Sequence, residues 1–247
     1  MGWTGKLLGG GLGFFVGGPI GAVIGAVVGN SFDKSSNSNT RMNEQERLNT
    51  IFFTTTFSML AKFAQADGAV TKSEITVIDN FVKHDLQLDG RARKLAIEIF
   101  DEAKRNNSSF EEFARQFYSN FRSKREVLVS MLDLLMRVAV ADNEFHKKER
   151  QYLRRAKDIF NISDSEYESI LAQYDQDNSN IEKYYKILEV SPDASMSEIK
   201  KKYKKKAKDF HPDNIIGKGL PEDYREFAQK KFKEIQNAYE KIKQHRR

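Results

Sequence analysis

Apolar side chains recur at helical spacing through the middle of the chain. Two stripes stand out between residues 44 and 176, namely Leu48, Phe52, Thr55, Met59 and Phe63, and then Leu128, Met131, Leu135, Val138 and Ala141. Steps of three and four residues place these side chains along one side of a helix, and no run of strict alternation indicates a strand. The pattern predicts an all-α fold, with roughly seven helices in this part and no sheet.

Helix start signals support this interpretation. A hydroxyl residue followed three positions later by a glutamate can satisfy the free amide groups at a helix N-terminus, in the arrangement called a capping box. We assign this role to four such pairs: Thr71 with Glu74, Ser109 with Glu112, Ser163 with Glu166, and Ser195 with Glu198.

The C-terminal part, residues 183–247, predicts a helical hairpin that follows a polar linker at residues 177–182. The tripeptide His211-Pro212-Asp213 lies in the connection between its two helices. Apolar stripes that match in this way are expected to bury each other. They comprise Ile199, Tyr203, Ala207 and Phe210 on the first helix, and Ala228, Phe232, Ile235, Tyr239 and Ile242 on the second, which runs from about Asp223 to Lys243.

The first 32 residues differ from the rest of the chain. No charged side chain occurs from Leu7 to Phe32, a stretch of 26 residues that would form a helix about 39 Å long. That length crosses a bilayer, where a lone segment can satisfy its backbone only as a helix. We therefore predict a single N-terminal transmembrane helix within an anchor at residues 1–32, and a polar tether at residues 33–43. The stretch is longer than the apolar part of a secretory signal, and no cleavage site follows it.

Positive charges flank this segment unevenly. Lys34, Arg41 and Arg47 follow it, whereas only Lys6 and the free amino group precede it. Because the more positive flank stays in the cytoplasm, the sequence predicts an N-terminus outside and the bulk of the chain in the cytoplasm.

Glycine recurs at every fourth position from Gly5 to Gly29. Small residues at this spacing allow two membrane helices to approach closely. The repeat predicts a homodimer through the transmembrane helix, with its interface at Gly9, Gly13, Gly17, Gly21 and Gly25.

Charge is concentrated at the C-terminal end. The 247 residues carry a net charge of +6, and residues 181–247 hold 18 Lys/Arg against 11 Asp/Glu, whereas residues 41–180 hold 21 against 23. A lysine-rich surface attracts an acidic partner or a phosphate group. Cysteine is absent from the sequence, which excludes a disulfide scaffold, a thiolate zinc site and a thiol nucleophile. Seven lysines crowd the helix before the tripeptide: Lys200, Lys201, Lys202, Lys204, Lys205, Lys206 and Lys208.

Two segments of the middle part resemble each other. Asp67 precedes Glu74 by seven residues, and Asp142 precedes Glu149 by the same distance. This repeated spacing within an all-helical region resembles the TerB-like domain, to which we assign residues 44–176. The resemblance implies that the four acids could bind a divalent metal ion such as Ca²⁺ or Mg²⁺, which prefers oxygen ligands. We favour the alternative that Glu74 and Glu149 only stabilise helix N-termini, and we predict no metal site and no cofactor.

The C-terminal pattern closely resembles the J domain. The resemblance rests on the basic helix, the tripeptide, and a second helix with Phe-Lys-Glu-Ile-Gln-Asn-Ala-Tyr at residues 232–239. Together with the glycine-rich start, the stretch Phe52 to Phe57, the TerB-like middle and the stretch Lys218 to Pro221, the whole chain resembles the membrane-anchored DnaJ-like co-chaperones of the bacterial inner membrane.

This resemblance implies a regulator of a DnaK-type chaperone and not an enzyme. In J domains the tripeptide loop and the basic helix dock on that ATPase and stimulate ATP hydrolysis. Asn214 departs from the family pattern, because Lys or Arg is common at that position, so one docking charge is missing. Matched by position, the docking residues are His211, Pro212, Asp213, Lys200, Tyr203, Lys204 and Lys205.

Other interpretations use the same residues. The lysine-rich helix could bind anionic lipid or nucleic acid, but no aromatic stacking platform or base-reading motif accompanies it, and we predict no nucleic-acid partner. The middle domain could define a metal-binding stress-response protein instead. Catalysis is disfavoured, because Pro212 separates His211 from Asp213 and the sequence nearby offers no nucleophile.

Overall fold

The computed structural model describes residues 17–31, 43–65, 76, 78–86, 88, 90–140, 147–174 and 180–246. All regular structure in this part of the chain is helical, as the sequence predicts. The helices are α1 Gly18–Ser31, α2 Glu44–Ala64, α3 Gly90–Arg105, α4 Phe110–Phe121, α5 Arg125–Ala139, α6 Lys147–Ile159, α7 Asp164–Leu171, α8 Glu182–Leu188, α9 Met196–Asp209, α10 Pro212–Gly217 and α11 Arg225–His245. A π-helical turn occurs at Phe81–Asp85, and 3₁₀ turns occur at Ala172–Tyr174 and Glu222–Tyr224.

Helix α2 is the centre of the middle domain, which comprises α2 to α7. It packs against α3 and α4, and the ring of Phe52 meets those of Phe117 and Phe121 edge-on, with centroids 5.6 and 6.1 Å apart. Both apolar stripes predicted for this domain are buried at every described position, and Ala141 lies outside the described residues. The helical spacing therefore identifies the core of this domain correctly.

Three of the four predicted capping boxes are present. The hydroxyls of Ser109, Ser163 and Ser195 each accept a hydrogen bond from the amide of the glutamate three residues later, and that glutamate bonds back to the amide of the capping residue. Thr71 lies outside the described residues. Asn43 forms a further box at the start of α2, which a search for hydroxyl residues alone misses.

Helix α1 differs from the predicted anchor helix. The sequence predicts one helix that runs from Leu7, whereas the described helix begins at Gly18 and packs against α2, α3 and α4. Its side chains Ile20, Val23 and Ile24 are at most 1% exposed. The second half of the apolar segment is therefore part of the core of the middle domain in this structure.

Gln116 on α4 holds the start of α1. Its Oε1 atom accepts a hydrogen bond from the amide of Ile20 at 2.9 Å, and its Nε2 atom donates to the carbonyl of Gly17. Gly18 has a φ of +71°, a left-handed conformation that glycine adopts without strain and that lies outside the α-helical region. Pro19 occupies the first turn, where its missing amide costs no hydrogen bond. These features explain why the described helix begins where it does.

Three of the glycines predicted to form a dimer interface lie in α1 or beside it. Gly17 is exposed and Gly21 is buried, and a Cβ atom added at Gly17 or Gly25 would meet no atom within 4 Å. Gly9 and Gly13 lie outside the described residues. None of the helices that the structure describes combines the length and the apolar character needed to cross a bilayer. The glycine interface stays a prediction.

The C-terminal part forms the predicted hairpin from α9 and α11, with α8 packed against both. The rings of Tyr203 and Tyr239 stack across the hairpin, 4.3 Å apart and inclined by 9°. Arg246 follows α11 and donates to the carbonyls of Pro192 and Ala194, which precede α9, so the two helices are antiparallel. The connection contains the further short helix α10, which the apolar stripes do not predict.

Candidate functional site

The tripeptide forms an exposed corner between α9 and α11. His211 adopts an extended conformation at the N-cap of α10, and Pro212 takes the first helical position, where proline is well tolerated. The imidazole ring meets that of Phe232 on α11 edge-on at 5.3 Å. The side chains of His211 and Asp213 are 49% and 71% exposed, whereas Pro212 is buried. A partner can therefore reach both polar side chains, and the proline fixes the backbone between them.

Asn214 makes two hydrogen bonds that the family resemblance does not predict. Its Nδ2 atom donates to the carbonyl of Lys208 at 3.0 Å and to that of Asp209 at 3.3 Å. These carbonyls belong to the last turn of α9, where backbone acceptors lack partners within the helix. Asn214 thus caps the basic helix and connects it to α10.

The seven lysines of α9 form two groups. Lys202 and Lys206, one turn apart, face α8 and pair with Glu189 at 3.2 and 2.8 Å. The others are exposed. Tyr203, also predicted to dock, is partly buried in its stack on Tyr239. The exposed group, which we call the lysine face, comprises Lys200, Lys201, Lys204, Lys205 and Lys208.

Lys206 lies between the hairpin and the middle domain with its side chain only 11% exposed, although it belongs to a run of lysines that the sequence alone assigns to a solvated surface. Its Nζ atom donates to the carbonyl of Ile187 at 2.6 Å and to the hydroxyl of Ser169 on α7 at 2.9 Å. Burial lowers the pKa of Lys206 to about 8, and the pairing with Glu189 only partly opposes this effect. The ammonium group is therefore harder to keep charged in the folded chain than in the unfolded chain.

This shift predicts a pH dependence of stability. Between pH 8 and pH 10.5 the unfolded chain holds more protons on Lys206 than the folded chain does, so the free energy of unfolding rises with pH in this window. We expect the wild type to gain about 1 kcal/mol per pH unit over a Lys206→Met variant between pH 8 and pH 10. Denaturant unfolding of both proteins at several pH values measures the difference, and a difference that does not change with pH would contradict the prediction.

A buried ion pair joins the hairpin to the middle domain. The Nζ atom of Lys231 on α11 donates to Oδ2 of Asp133 on α5 at 2.8 Å, and their side chains are 4% and 3% exposed. The hydroxyl of Tyr174 donates to the other carboxylate oxygen at 2.9 Å, and Oε1 of Gln173 accepts from Lys231 at 3.3 Å. The same ammonium group lies 5.3 Å from the ring centre of Phe210, next to the tripeptide. The pair thus fixes the exposed corner relative to α5.

The segment after α10 makes a second connection between the two parts. Tyr224 is fully buried, with its ring edge-on to that of Phe52 at 4.9 Å. Gly219 has a φ of +113°, and a Cβ atom there would lie 3.2 Å from the ring of Phe121. Lys218 pairs with Glu126 at 2.9 Å. Both sides of the tripeptide are therefore anchored on the middle domain, and the J-like hairpin does not stand apart from it.

Of the four acids considered as metal ligands, only Glu149 lies among the residues that the structure describes. Asp67, Glu74 and Asp142 lie outside the described residues. Glu149 is 3% exposed and occupies the first turn of α6, a position where a carboxylate opposes the positive end of the helix. No group of three or more potential ligand side chains is found among the described residues.

Sequence patterns single out neither the Asp133–Lys231 pair nor Arg225, which contacts Asp213. The sequence could have indicated Asp133, because it is a single charge within the apolar run from Met131 to Leu135. Such a charge needs a partner when its helix is buried. Nothing in the sequence indicates that Lys231 is buried, because it stands among other lysines that remain at the surface.

Three family models match the chain. Residues 54–172 match the model of tellurite resistance protein TerB, residues 183–247 match the DnaJ domain, and residues 1–44 match the transmembrane domain of the co-chaperone DjlA. Among curated proteins, the co-chaperone protein DjlA of Photobacterium profundum is 30% identical over 97% of this chain and 97% of its own length. The chain belongs to the DjlA co-chaperone family.

Other DjlA proteins show a similar degree of likeness. The protein of Escherichia coli K12 is 29% identical over 82% of each chain, and that of Coxiella burnetii is 29% identical over 98% of each chain. No solved structure matches the chain significantly. The matches confirm that this DjlA family member combines a TerB-like domain with a C-terminal J domain. They confirm as well the resemblance of its N-terminal residues to the transmembrane domain of DjlA.

Proposed function

We propose that this protein is a membrane-anchored co-chaperone that stimulates ATP hydrolysis by a DnaK-type chaperone. The observation that carries the proposal is the exposed corner formed by His211 and Asp213, which stands at the end of the lysine face. A cluster of positive charges speeds the encounter with an acidic partner, and an exposed carboxylate can accept a charge-assisted hydrogen bond from a cation of that partner. The chain acts here as a regulator of another ATPase and performs no chemistry itself.

The proposed location is the bacterial inner membrane. The similarity of residues 1–44 to the DjlA transmembrane domain supports an anchor, and the positive charges that follow residue 32 support an N-terminus outside and a cytoplasmic bulk. The four-residue glycine repeat extends the proposal to a homodimer. The anchor would keep the J domain close to the membrane.

Replacement of the exposed histidine tests the proposed activity. We expect His211→Gln in the full chain, purified in detergent, to lower single-turnover stimulation of a DnaK-type chaperone by about 30-fold or more. This is the loss of roughly 2 kcal/mol that defines a binding hot spot. The measurement is the rate of ATP hydrolysis by the chaperone at a fixed concentration of this protein.

His245→Gln is the matched control, because His245 is also an exposed histidine of the J domain but lies at the far end of α11. It should stimulate like the wild type, and circular dichroism should show unchanged helix content in both variants. Equal rates with the wild type and His211→Gln would refute the proposed function.

A further inference from the structure

Arg225, the first residue of α11, contacts the exposed carboxylate of the tripeptide. Its Nη1 atom donates to Oδ1 of Asp213 at 2.8 Å. The other edge of the guanidinium is held by Glu222, which accepts from Nε and, at 3.2 Å, from Nη2. Glu222 therefore orients the guanidinium so that its remaining nitrogen points at Asp213.

The second oxygen of the same carboxylate also faces a group of this chain. Oδ2 of Asp213 lies 3.8 Å from Nδ1 of His211. The hydrogen bond from Arg225 is the main reason why the pKa of Asp213 lies below its usual range. The carboxylate that we propose for docking is thus ionised, and its Oδ1 atom already accepts a hydrogen bond from Arg225 before any partner arrives.

The pair is nevertheless accessible to exchange. The side chains of Arg225 and Asp213 are 37% and 71% exposed, so water and a partner can reach both. Exposed ion pairs of this kind contribute little to stability, and a cation of a docking partner can replace one at small cost. Because the interaction free energy of the internal pair is lost in this exchange, the partner binds more weakly than it would to a free carboxylate.

We propose that Arg225 is an internal competitor for the docking carboxylate, which a cation of the chaperone must displace, so that Arg225 lowers the affinity of docking. This inference rests on the proposed function and names a residue that lies outside the tripeptide and the lysine face. Arg225 is a positioning residue in this role, because it acts through Asp213 and makes no necessary contact with the partner.

Two effects of Arg225 on docking have opposite signs. As a competitor for Asp213, it weakens binding. As one more positive charge on a surface that attracts an acidic partner, it would strengthen binding. A variant that removes the charge therefore separates the two effects by the direction of the change.

The test is Arg225→Gln in the full chain. We expect the concentration that gives half-maximal stimulation of the chaperone to fall by about two- to five-fold, as expected for loss of one exposed internal pair. The maximal rate should stay unchanged, because His211 and Asp213 remain. A carbon NMR titration should also show a higher pKa for the Asp213 carboxyl in the variant.

Lys241→Gln is the matched control, because it removes the same charge from an exposed position of α11 far along the helix from Asp213. It should leave half-saturation unchanged or raise it slightly. A half-saturating concentration that is unchanged or higher in Arg225→Gln would overturn the inference and leave the proposed function intact. If the wild type neither stimulates nor binds the chaperone in a surface plasmon resonance assay, the proposed function fails and the inference fails with it.

Discussion

Asp133→Leu should lower the free energy of unfolding by about 3–5 kcal/mol, because it leaves the ammonium group of Lys231 buried without its counter-charge. Among the described residues outside α11, the ammonium group then keeps one hydrogen-bond acceptor. This acceptor is Oε1 of Gln173, at the longer distance of 3.3 Å. Denaturant unfolding of the full chain in detergent measures the loss. We expect the J domain to separate from the middle domain at lower denaturant than in the wild type.

The double variant Asp133→Leu/Lys231→Met is the matched control. It replaces both charges with apolar side chains, and such replacements of buried pairs are often neutral or stabilising. We expect the double variant to recover most of the stability lost in Asp133→Leu. If the two variants are equally unstable, the loss comes from repacking around α5, and the ion pair is not what joins the two domains.

Reversal of charge on the lysine face should give the largest functional effect. We expect Lys200→Glu/Lys204→Glu/Lys205→Glu to slow association with a DnaK-type chaperone about 100-fold at low ionic strength, because electrostatic steering changes rates of encounter by roughly 10–10³. The difference from the wild type should shrink as salt is added, since exposed charges are screened. Stopped-flow binding at several salt concentrations measures both effects.

Lys94→Glu/Lys147→Glu/Lys148→Glu is the matched control, because it makes the same change in net charge at exposed positions of the middle domain. It should associate with the chaperone at a rate much closer to that of the wild type. The same variants also test the alternative that the lysine face binds anionic lipid. If its reversal abolishes binding to anionic vesicles but leaves chaperone association unchanged, the lysines serve the lipid surface.

Much of the local structure can be predicted from the amino-acid sequence alone. The periodicity of apolar residues and the capping of helices depend on residues within one or two turns of each other. No tertiary information was therefore needed to predict the buried stripe that includes Phe52 or the helix start at Ser195. The end of α9 before the tripeptide could be predicted as well, because Pro212 disfavours the helical conformation in the residue that precedes it. The family resemblance of both domains rests on such local motifs.

The contacts between residues that are distant in sequence depend on how the helices pack. Periodicity says that a side chain faces inward, but it does not say what lies opposite, so it could not pair Lys231 with Asp133, 98 residues away in sequence. It also could not distinguish Lys206, whose side chain is only 11% exposed, from the exposed lysines around it. The apolar segment at residues 18–31 suits hydrocarbon and a protein core equally well, because both reward burial of the same side chains. The structure places this segment against α2, α3 and α4, where Gln116 provides the polar contacts that a lipid chain cannot offer.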